Sequence, residues 1–168
     1  MNNNIIAELF IKELEEDMAA TRKCLERIPE SLYEYKPHEK SMQMGYLSVI
    51  VAEIPRWISV TIEKGEINFA TWEKYTLTTN AELLKYFDDN MELAKNSLKN
   101  TSDEELMTKM FYLKVGDKEI MKSRKDESIA SSLRHWAHHR GQLTVYMRLN
   151  NIPVPEIYGP SADENTFM

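Results

Sequence analysis

Four long stretches of helical periodicity constrain this chain more than any other feature of its sequence. Apolar residues recur at every third or fourth position, which predicts amphipathic helices over about residues 3–27, 42–64, 80–100 and 126–150. Only 5 of the 168 residues are glycine and 42% are apolar, a balance that favours a folded, mostly helical protein. A chain of this length is typical of one domain. We therefore predict an all-α helical bundle in a single domain over residues 1–168.

Turn-forming residues mark the ends of the predicted helices. Residues 28–41 form a long loop with at most one helical turn. Gly65 is the expected C-cap of the second helix, because glycine accepts the left-handed conformation found there. Pro55 lies inside that helix and is expected to kink it without ending it. Asn80 is the expected N-cap of the third helix.

One segment has the pattern of a strand pair. Residues 110–115 form a short aromatic and β-branched run, which Gly116-Asp117 separates from residues 118–121. This arrangement predicts a small β-hairpin between the third and fourth helices. Residues 66–79 have no periodicity, and we interpret them as an irregular connection.

Charge and hydropathy exclude two classes of partner. The 27 acidic and 21 basic residues give a net charge of −6, and no basic patch interrupts the mixture, so we expect no nucleic-acid binding. The central apolar run Tyr46–Ala52 is too short to span a bilayer, and the N-terminus does not resemble a signal peptide. The single cysteine, Cys24, lies among apolar residues of the first helix and is expected to be buried and inert. We predict a cytoplasmic protein with no membrane partner.

The candidate metal-binding residues lie in the fourth predicted helix. Three of the four histidines occur there, in the run His135-Trp136-Ala137-His138-His139. His135 and His139 are four residues apart, so their imidazoles share one helix face and can bind one transition-metal ion together. His138 projects away from this pair. Two protein ligands alone make a weak metal site, because catalytic zinc sites usually have three.

Several segments resemble the DinB family, which is related to the bacillithiol and mycothiol transferases. The resemblance covers most of the chain in order, and its motifs lie in residues 36–47, 52–57, 133–146 and 153–164. It implies a DinB-type up-down-down-up four-helix bundle, often dimeric, with a pocket at one end. It also implies that three histidines hold a divalent ion, such as nickel, zinc or manganese. His135 and His139 match two of these ligands.

The third ligand position departs from the family pattern. The family places a histidine in the second helix, within a motif of the form Leu-Ala-x-His-Ile-Ala-Glu. This chain has Ile50 at that position, and an isoleucine side chain offers a metal ion no ligand. Glu53 lies three residues further on and is the nearest replacement, although the family pattern has glutamate there as well. We interpret Glu53 as a pocket residue that supports the site rather than as a ligand.

Other candidate residues have structural interpretations. Trp57 and Trp136 are expected to form core or pocket wall. The resemblance suggests that His38 orders the loop before the second helix. No catalytic residue is assigned, since no Ser-His-Asp arrangement or Gly-rich cofactor-binding loop occurs.

Two functions remain open at this point. The first is a divergent DinB-like protein, related to metal-dependent thiol transferases and hydrolases, with an incomplete histidine triad and a small electrophile as substrate. The alternative is a non-catalytic protein that binds a small ligand or a partner through a vestigial metal pocket. The resemblance also leads us to expect a homodimer.

Overall fold

Helices form most of residues 4–166, which the computed structural model of this chain describes. The helices are α1 (Ile5–Glu26), α2 (Met44–Glu63), α3 (Asn80–Lys99), α4 (Asp103–Thr108) and α5 (Lys125–Leu149). The strands are β1 (Glu66–Asn68), β2 (Met110–Val115) and β3 (Lys118–Arg124). The four long predicted helices are confirmed, and the predicted start of the first at residue 3 lies outside the described residues.

The strands correct the all-α prediction. The predicted hairpin is confirmed as the antiparallel pair β2–β3, which turns at Gly116 with a φ of 59°. Strand β1, which the sequence analysis treated as irregular connection, pairs in parallel with β2. The protein is therefore mostly helical with a three-stranded sheet in the order β1-β2-β3. The short helix α4 was also not predicted, although Ser102 caps it by accepting a hydrogen bond from the Glu105 N–H.

Helix α2 is the most buried of the long helices and packs against both α3 and α5. By length and composition, it is the one helix among the described residues that could cross a membrane, with a mean hydropathy of 1.2. In the fold, 78% of that apolar stretch is buried inside the protein. The burial against α3 and α5 accounts for the apolar character of α2.

Helix α2 continues through Pro55. A proline has no N–H, so the carbonyl oxygen of Val51, four residues earlier, loses its helical donor. The indole Nε1–H of Trp136 on α5 donates to this oxygen instead, at 2.9 Å. The side chain of Trp136 is 1% exposed and belongs to the core between α2, α3 and α5.

The predicted cap at the end of α2 is confirmed. Gly65 has a φ of 65°, and its N–H donates to the Val60 carbonyl at 3.2 Å. The predicted N-cap of α3 was wrong by one residue, because the side chain of Thr79 accepts the Glu82 N–H.

The side chain of Asn80 instead caps the C-terminal end of α1. Its side-chain amide donates to the carbonyl oxygens of Leu25 at 2.9 Å and Ile28 at 3.0 Å, at the end of α1. The sequence therefore correctly indicated a capping role for Asn80, but the helix end that it caps is that of α1 and not the start of α3.

A buried cation fixes α5 against α1. Arg140 is 1% exposed, and its guanidinium donates to the Thr21 hydroxyl at 2.9 Å and to the Asp17 carboxylate at 3.1 Å. It also donates to the hydroxyl of Tyr158, in the C-terminal segment. Because Arg140 follows His139 directly, this network holds the histidine-bearing face of α5 in place.

Candidate functional site

The structure brings the predicted histidine pair together. His135 and His139 lie one turn apart on α5, with their ring centroids 4.4 Å apart and their Nε2 atoms 2.6 Å apart. The side chain of His139 is buried and that of His135 is half-buried. The Nε2 atoms therefore meet at one point, and the short distance requires one hydrogen shared between them.

Gln142 sets the tautomer of this pair. Its Oε1 atom lies 2.8 Å from His139 Nδ1 and, as an amide oxygen, can only accept. His139 therefore carries its proton on Nδ1, which leaves its Nε2 lone pair to accept from His135 Nε2–H. The sequence analysis did not assign Gln142 to the site. Its position three residues after His139 was the available signal, because side chains at that spacing are helix neighbours.

Burial keeps both rings neutral near pH 7. Burial lowers the pKa of His135 below its ordinary value, and the neighbouring His139 and His138 lower it further. Burial also lowers the pKa of His139, while its hydrogen bond to Gln142 acts in the opposite direction. Neutral imidazoles can accept a proton or bind a metal ion, so the pair is in the state that either role requires.

The pair opens onto a cavity of about 570 Å³, which we call the main cavity. Its wall also contains Ile50 and Glu53 from α2, and the exposed Lys74 lies at its edge. The rest of the wall is mainly apolar, with the aromatic side chains Tyr46, Trp57, Phe69, Trp72 and Tyr75. The ring of Trp57 packs against that of His135, with centroids 5.3 Å apart.

Ile50 and Glu53 leave the histidine pair without a third metal ligand. Ile50, which the resemblance places at the position of a histidine, lines the same cavity as both histidines. The Glu53 carboxylate accepts a hydrogen bond from the Tyr86 hydroxyl at 2.8 Å. Across residues 4–166, no group of three histidine, cysteine, aspartate or glutamate side chains is placed to hold one ion. The donor set does not fit a catalytic metal centre with three protein ligands.

Tyr86 binds Glu53 as a neutral phenol. Burial raises the pKa of Tyr86 to about 12, and the nearby Glu53 carboxylate also raises it. The hydroxyl therefore stays protonated and donates to Glu53, which holds this carboxylate against α3. The supporting role of Glu53 in the pocket stays a prediction.

The remaining predicted residues lie at the edge of the site or outside it. Trp136 does not line the main cavity, because its ring lies in the core. His138 is exposed beside His139, with ring centroids 5.1 Å apart. His38 Nδ1 accepts the Lys40 N–H at 3.1 Å, within its own loop. Cys24 is fully buried, and burial raises its thiol pKa to about 11.

The sequence analysis did not identify most of the aromatic wall. Phe69, Trp72 and Tyr75 come from residues 66–79, where the pattern was irregular, and Tyr46 from the start of α2. The density of aromatic residues in a segment without periodicity was the available signal, because a loop that covers a pocket needs no helical or strand repeat.

Comparisons with known proteins agree with this architecture. The model of the DinB family matches residues 1–166. The uncharacterized protein YrdA of Bacillus subtilis (strain 168) is 27% identical over 162 residues, which cover 92% of this chain and 89% of YrdA.

Two solved structures have the same fold. One is a DinB-like protein (YjoA) from Bacillus subtilis, with a TM-score of 0.70 and 22% identity over 89% of this chain and 97% of that one. The other is a DinB-like protein from Bacillus cereus ATCC 10987, with a TM-score of 0.69 and 19% identity over 90% of this chain and 97% of that one.

Proposed function

This chain belongs to the DinB family, and we propose that it binds a small organic molecule with a weakly acidic head group in the main cavity. The observation that carries this proposal is the pair of neutral imidazoles in the wall of a cavity of about 570 Å³. Small-molecule sites usually have this form, a mainly apolar cavity of roughly 300–1,000 Å³ with a few converging polar groups.

The polar groups of the main cavity suit a weak acid. Because His139 Nε2 accepts from His135 Nε2–H, His135 Nδ1 is the ring nitrogen without a proton, and it can accept one from a carboxylic acid. The resulting imidazolium then holds the anion of the ligand. Lys74, which makes no salt bridge with other described residues, adds a positive charge at the edge of the cavity.

The body of the ligand is expected to be apolar and flat. Trp57 and Phe69 make an edge contact with centroids 6.1 Å apart, while Tyr75 stacks on Tyr86 with centroids 4.0 Å apart. These rings offer both edges and faces to an aromatic ligand. Ile50 adds apolar surface beside the histidines.

Benzoate is a suitable first probe because it combines an aromatic body with a carboxylate. Isothermal titration at pH 6 is expected to show binding of benzoate and at least about tenfold weaker binding of neutral benzamide. The double variant His135→Asn/His139→Asn is expected to lose this preference. His138→Asn, which changes the exposed neighbouring histidine, should keep it. Equal affinity for benzoate and benzamide in the unchanged protein would contradict the proposal.

A second candidate function is metal-dependent thiol chemistry, as in the transferases related to this family. The convergence of the two Nε2 atoms and the support of His139 by Gln142 favour it, since metal-binding histidines usually have such a partner. His135 and His139 would hold nickel, zinc or manganese, and such an ion would lower the pKa of a bound thiol. With two protein ligands, this ion is expected to be held weakly.

Metal retention tests this second candidate. Protein purified without a metal-affinity column is incubated with nickel, zinc or manganese, desalted and analysed by mass spectrometry. Retention of about one ion per chain, lost in His135→Ala and in His139→Ala, would support a metal site. We expect little retention in the unchanged protein and clear retention in Ile50→His, which supplies the third family ligand. If Ile50→His also retains no metal, Ile50 does not occupy the ligand position.

The oligomeric state and the location of the protein are further proposals, and the family membership supports them. We propose a cytoplasmic homodimer whose four long helices run up-down-down-up. Ile5 and Leu9 of α1 are 55% and 57% exposed, so α1 offers apolar surface for a second copy. Light scattering coupled to size-exclusion chromatography tests the dimer. No nucleic-acid or membrane partner is proposed, and the net charge of −6 disfavours the former.

A further inference from the structure

A second cavity of about 300 Å³, which we call the side chamber, adjoins the main cavity. The two share Trp57, Phe69 and His135 as walls. Helix α2 lines both cavities, because Ile50 and Glu53 face the main cavity while Thr61, further along the helix, faces the side chamber. Helix α5 also lines both, through His135. His135 therefore stands at the junction of two adjoining spaces.

The side chamber has two chemically different sides. Sheet residues supply an apolar side that includes Ile67, Phe111 and Leu113. Helices supply hydroxyl groups, from Thr61 on α2 and from Ser128, Ser131 and Ser132 on α5. A linear chain with an oxygen atom along it would match both sides, since methylene groups suit the sheet and an oxygen suits the hydroxyls.

Thr61 carries the strongest evidence for a ligand here. Its side chain is 1% exposed, and its hydroxyl oxygen is buried without a hydrogen-bond partner among the described residues. By contrast, the buried hydroxyls of Thr21, Ser48, Ser59, Ser97 and Ser132 on the long helices each donate to a carbonyl oxygen three or four residues earlier. A buried hydroxyl without a partner is unfavourable by about 1–3 kcal/mol, so Thr61 is suited to donate to a guest molecule.

Trp57 provides a second unpartnered donor at the junction. Its indole Nε1–H is buried and makes no hydrogen bond with the described residues. Trp57 lies one turn before Thr61 on α2 and borders both cavities. Two buried donors without partners among the described residues therefore lie one turn apart on α2, beside the walls that the two cavities share.

We propose that the side chamber binds a linear arm of the ligand, extending from the head group at His135 and His139 and carrying a hydrogen-bond acceptor that receives the Thr61 hydroxyl. The proposal rests on the function proposed above, because it takes the head group to lie at the histidine pair. It adds a substrate class: acids with an unbranched chain that bears an ether or carbonyl oxygen. Thr61 and Ser131 become determinants of chain length and chain polarity.

The first test is the dependence of affinity on chain length. Butanoate, hexanoate and octanoate are titrated into the protein, and affinity is expected to rise roughly fourfold per added methylene group. Ser131→Phe fills the side chamber and is expected to remove this rise, while Ser131→Ala keeps it. A rise that persists in Ser131→Phe would place the chain in the main cavity and overturn the inference.

The second test concerns the Thr61 hydroxyl. The methoxy analogue of octanoate, with the same chain length and an ether oxygen near its far end, is compared with octanoate itself. The ratio of the affinity for the analogue to the affinity for octanoate is expected to be about fivefold higher in the unchanged protein than in Thr61→Val, which is the effect of one neutral hydrogen bond. Thr61→Val keeps the shape of the side chain and should leave octanoate binding nearly unchanged. An equal preference in both proteins would overturn the role of Thr61.

Benzoate distinguishes the failure of this inference from the failure of the proposed function. If benzoate binds and depends on the histidine pair, but the alkanoates show no dependence on the side chamber, only the inference fails. If neither benzoate nor any alkanoate binds, the proposed function and the inference fail together.

Discussion

At the scale of single residues, the histidine pair is the group whose protonation most affects the protein near neutral pH. Burial lowers the pKa values of His135 and His139 below the ordinary 6.5, and neighbouring histidines lower them further, His139 and His138 for His135 and His138 for His139. In the unfolded chain both return to ordinary values, so the unfolded state binds more protons between the lowered pKa and 6.5. The stabilisation from the neutral pair is complete above that range and is lost as the pH falls through it.

We therefore predict that the free energy of unfolding declines as the pH falls from about 7.5 to about 5.5. Urea unfolding at several pH values measures this free energy. The double variant His135→Gln/His139→Gln should flatten this decline, because its side chains do not titrate.

His138→Gln is the control for this experiment, since His138 is exposed on the same helix. It is expected to leave most of the decline in place, because burial is the largest cause of both pKa shifts. The carboxylates of Asp163 and Glu164, whose pKa values are lowered by Arg148 and Arg27, titrate at lower pH and do not interfere. A decline of the same size in the double variant would show that other groups are responsible.

At the scale of secondary-structure elements, α2 and α5 are joined by the bond from Trp136 to the Val51 carbonyl. Trp136→Phe removes the donor and leaves a buried carbonyl oxygen without a partner, which is expected to lower stability by about 1–3 kcal/mol. Pro55→Ala restores an N–H four residues after Val51, so the helix itself can then satisfy this oxygen. We predict that Trp136→Phe is less damaging in the Pro55→Ala background, by about 1 kcal/mol.

A double-mutant cycle from urea unfolding of the four proteins measures this coupling. The cycle subtracts the loss of packing against Phe87, which is common to both backgrounds. An equal effect of Trp136→Phe with and without Pro55 would show that the Val51 carbonyl is not the relevant group.

Long elements could be predicted from the sequence, and short ones could not. The four long helices and the hairpin follow from periodicity and from Gly65 and Gly116, because each pattern extends over enough residues to be distinctive. Strand β1 has three residues and exists through its parallel pairing with β2, more than forty residues later in the chain. No local pattern contains that partner. The sequence predicted either core or pocket wall for Trp136. The packing of three helices around its side chain places it in the core.

The candidate site could also be predicted from the sequence only in part. The helical spacing of His135 and His139 predicted their convergence, and the family pattern identified Ile50 as the departure. The main cavity and the unpartnered hydroxyl of Thr61 depend on contacts among α2, α5, the sheet and residues 66–79. Such contacts have no signature within any one segment.

At the scale of the whole molecule, the Arg140 network holds α1, α5 and the C-terminal segment together. The guanidinium is almost fully buried, with 2% of the side chain exposed, and Asp17 is its carboxylate partner. Asp17→Ala leaves this buried charge unpaired, so we predict a loss of about 3 kcal/mol in the free energy of unfolding.

Glu16→Ala is the matched control, because Glu16 is the neighbouring acid and forms an exposed ion pair with Lys12 at 3.7 Å. It is expected to change stability by less than about 1 kcal/mol. Chemical denaturation of both variants gives the comparison. Similar losses in the two would indicate that Arg140 finds another partner when Asp17 is removed.

The link between Pro55 and Trp136 has a consequence for how this fold varies among organisms. A proline that withholds a donor and an indole that supplies one satisfy the same oxygen atom on Val51. The tryptophan can change with little harm only where the proline is absent, because the helix then supplies the donor itself, so the two positions should vary together. Relatives without the proline are then free to replace the tryptophan with a smaller apolar residue, while relatives that keep the proline should retain a donor at that point of α5.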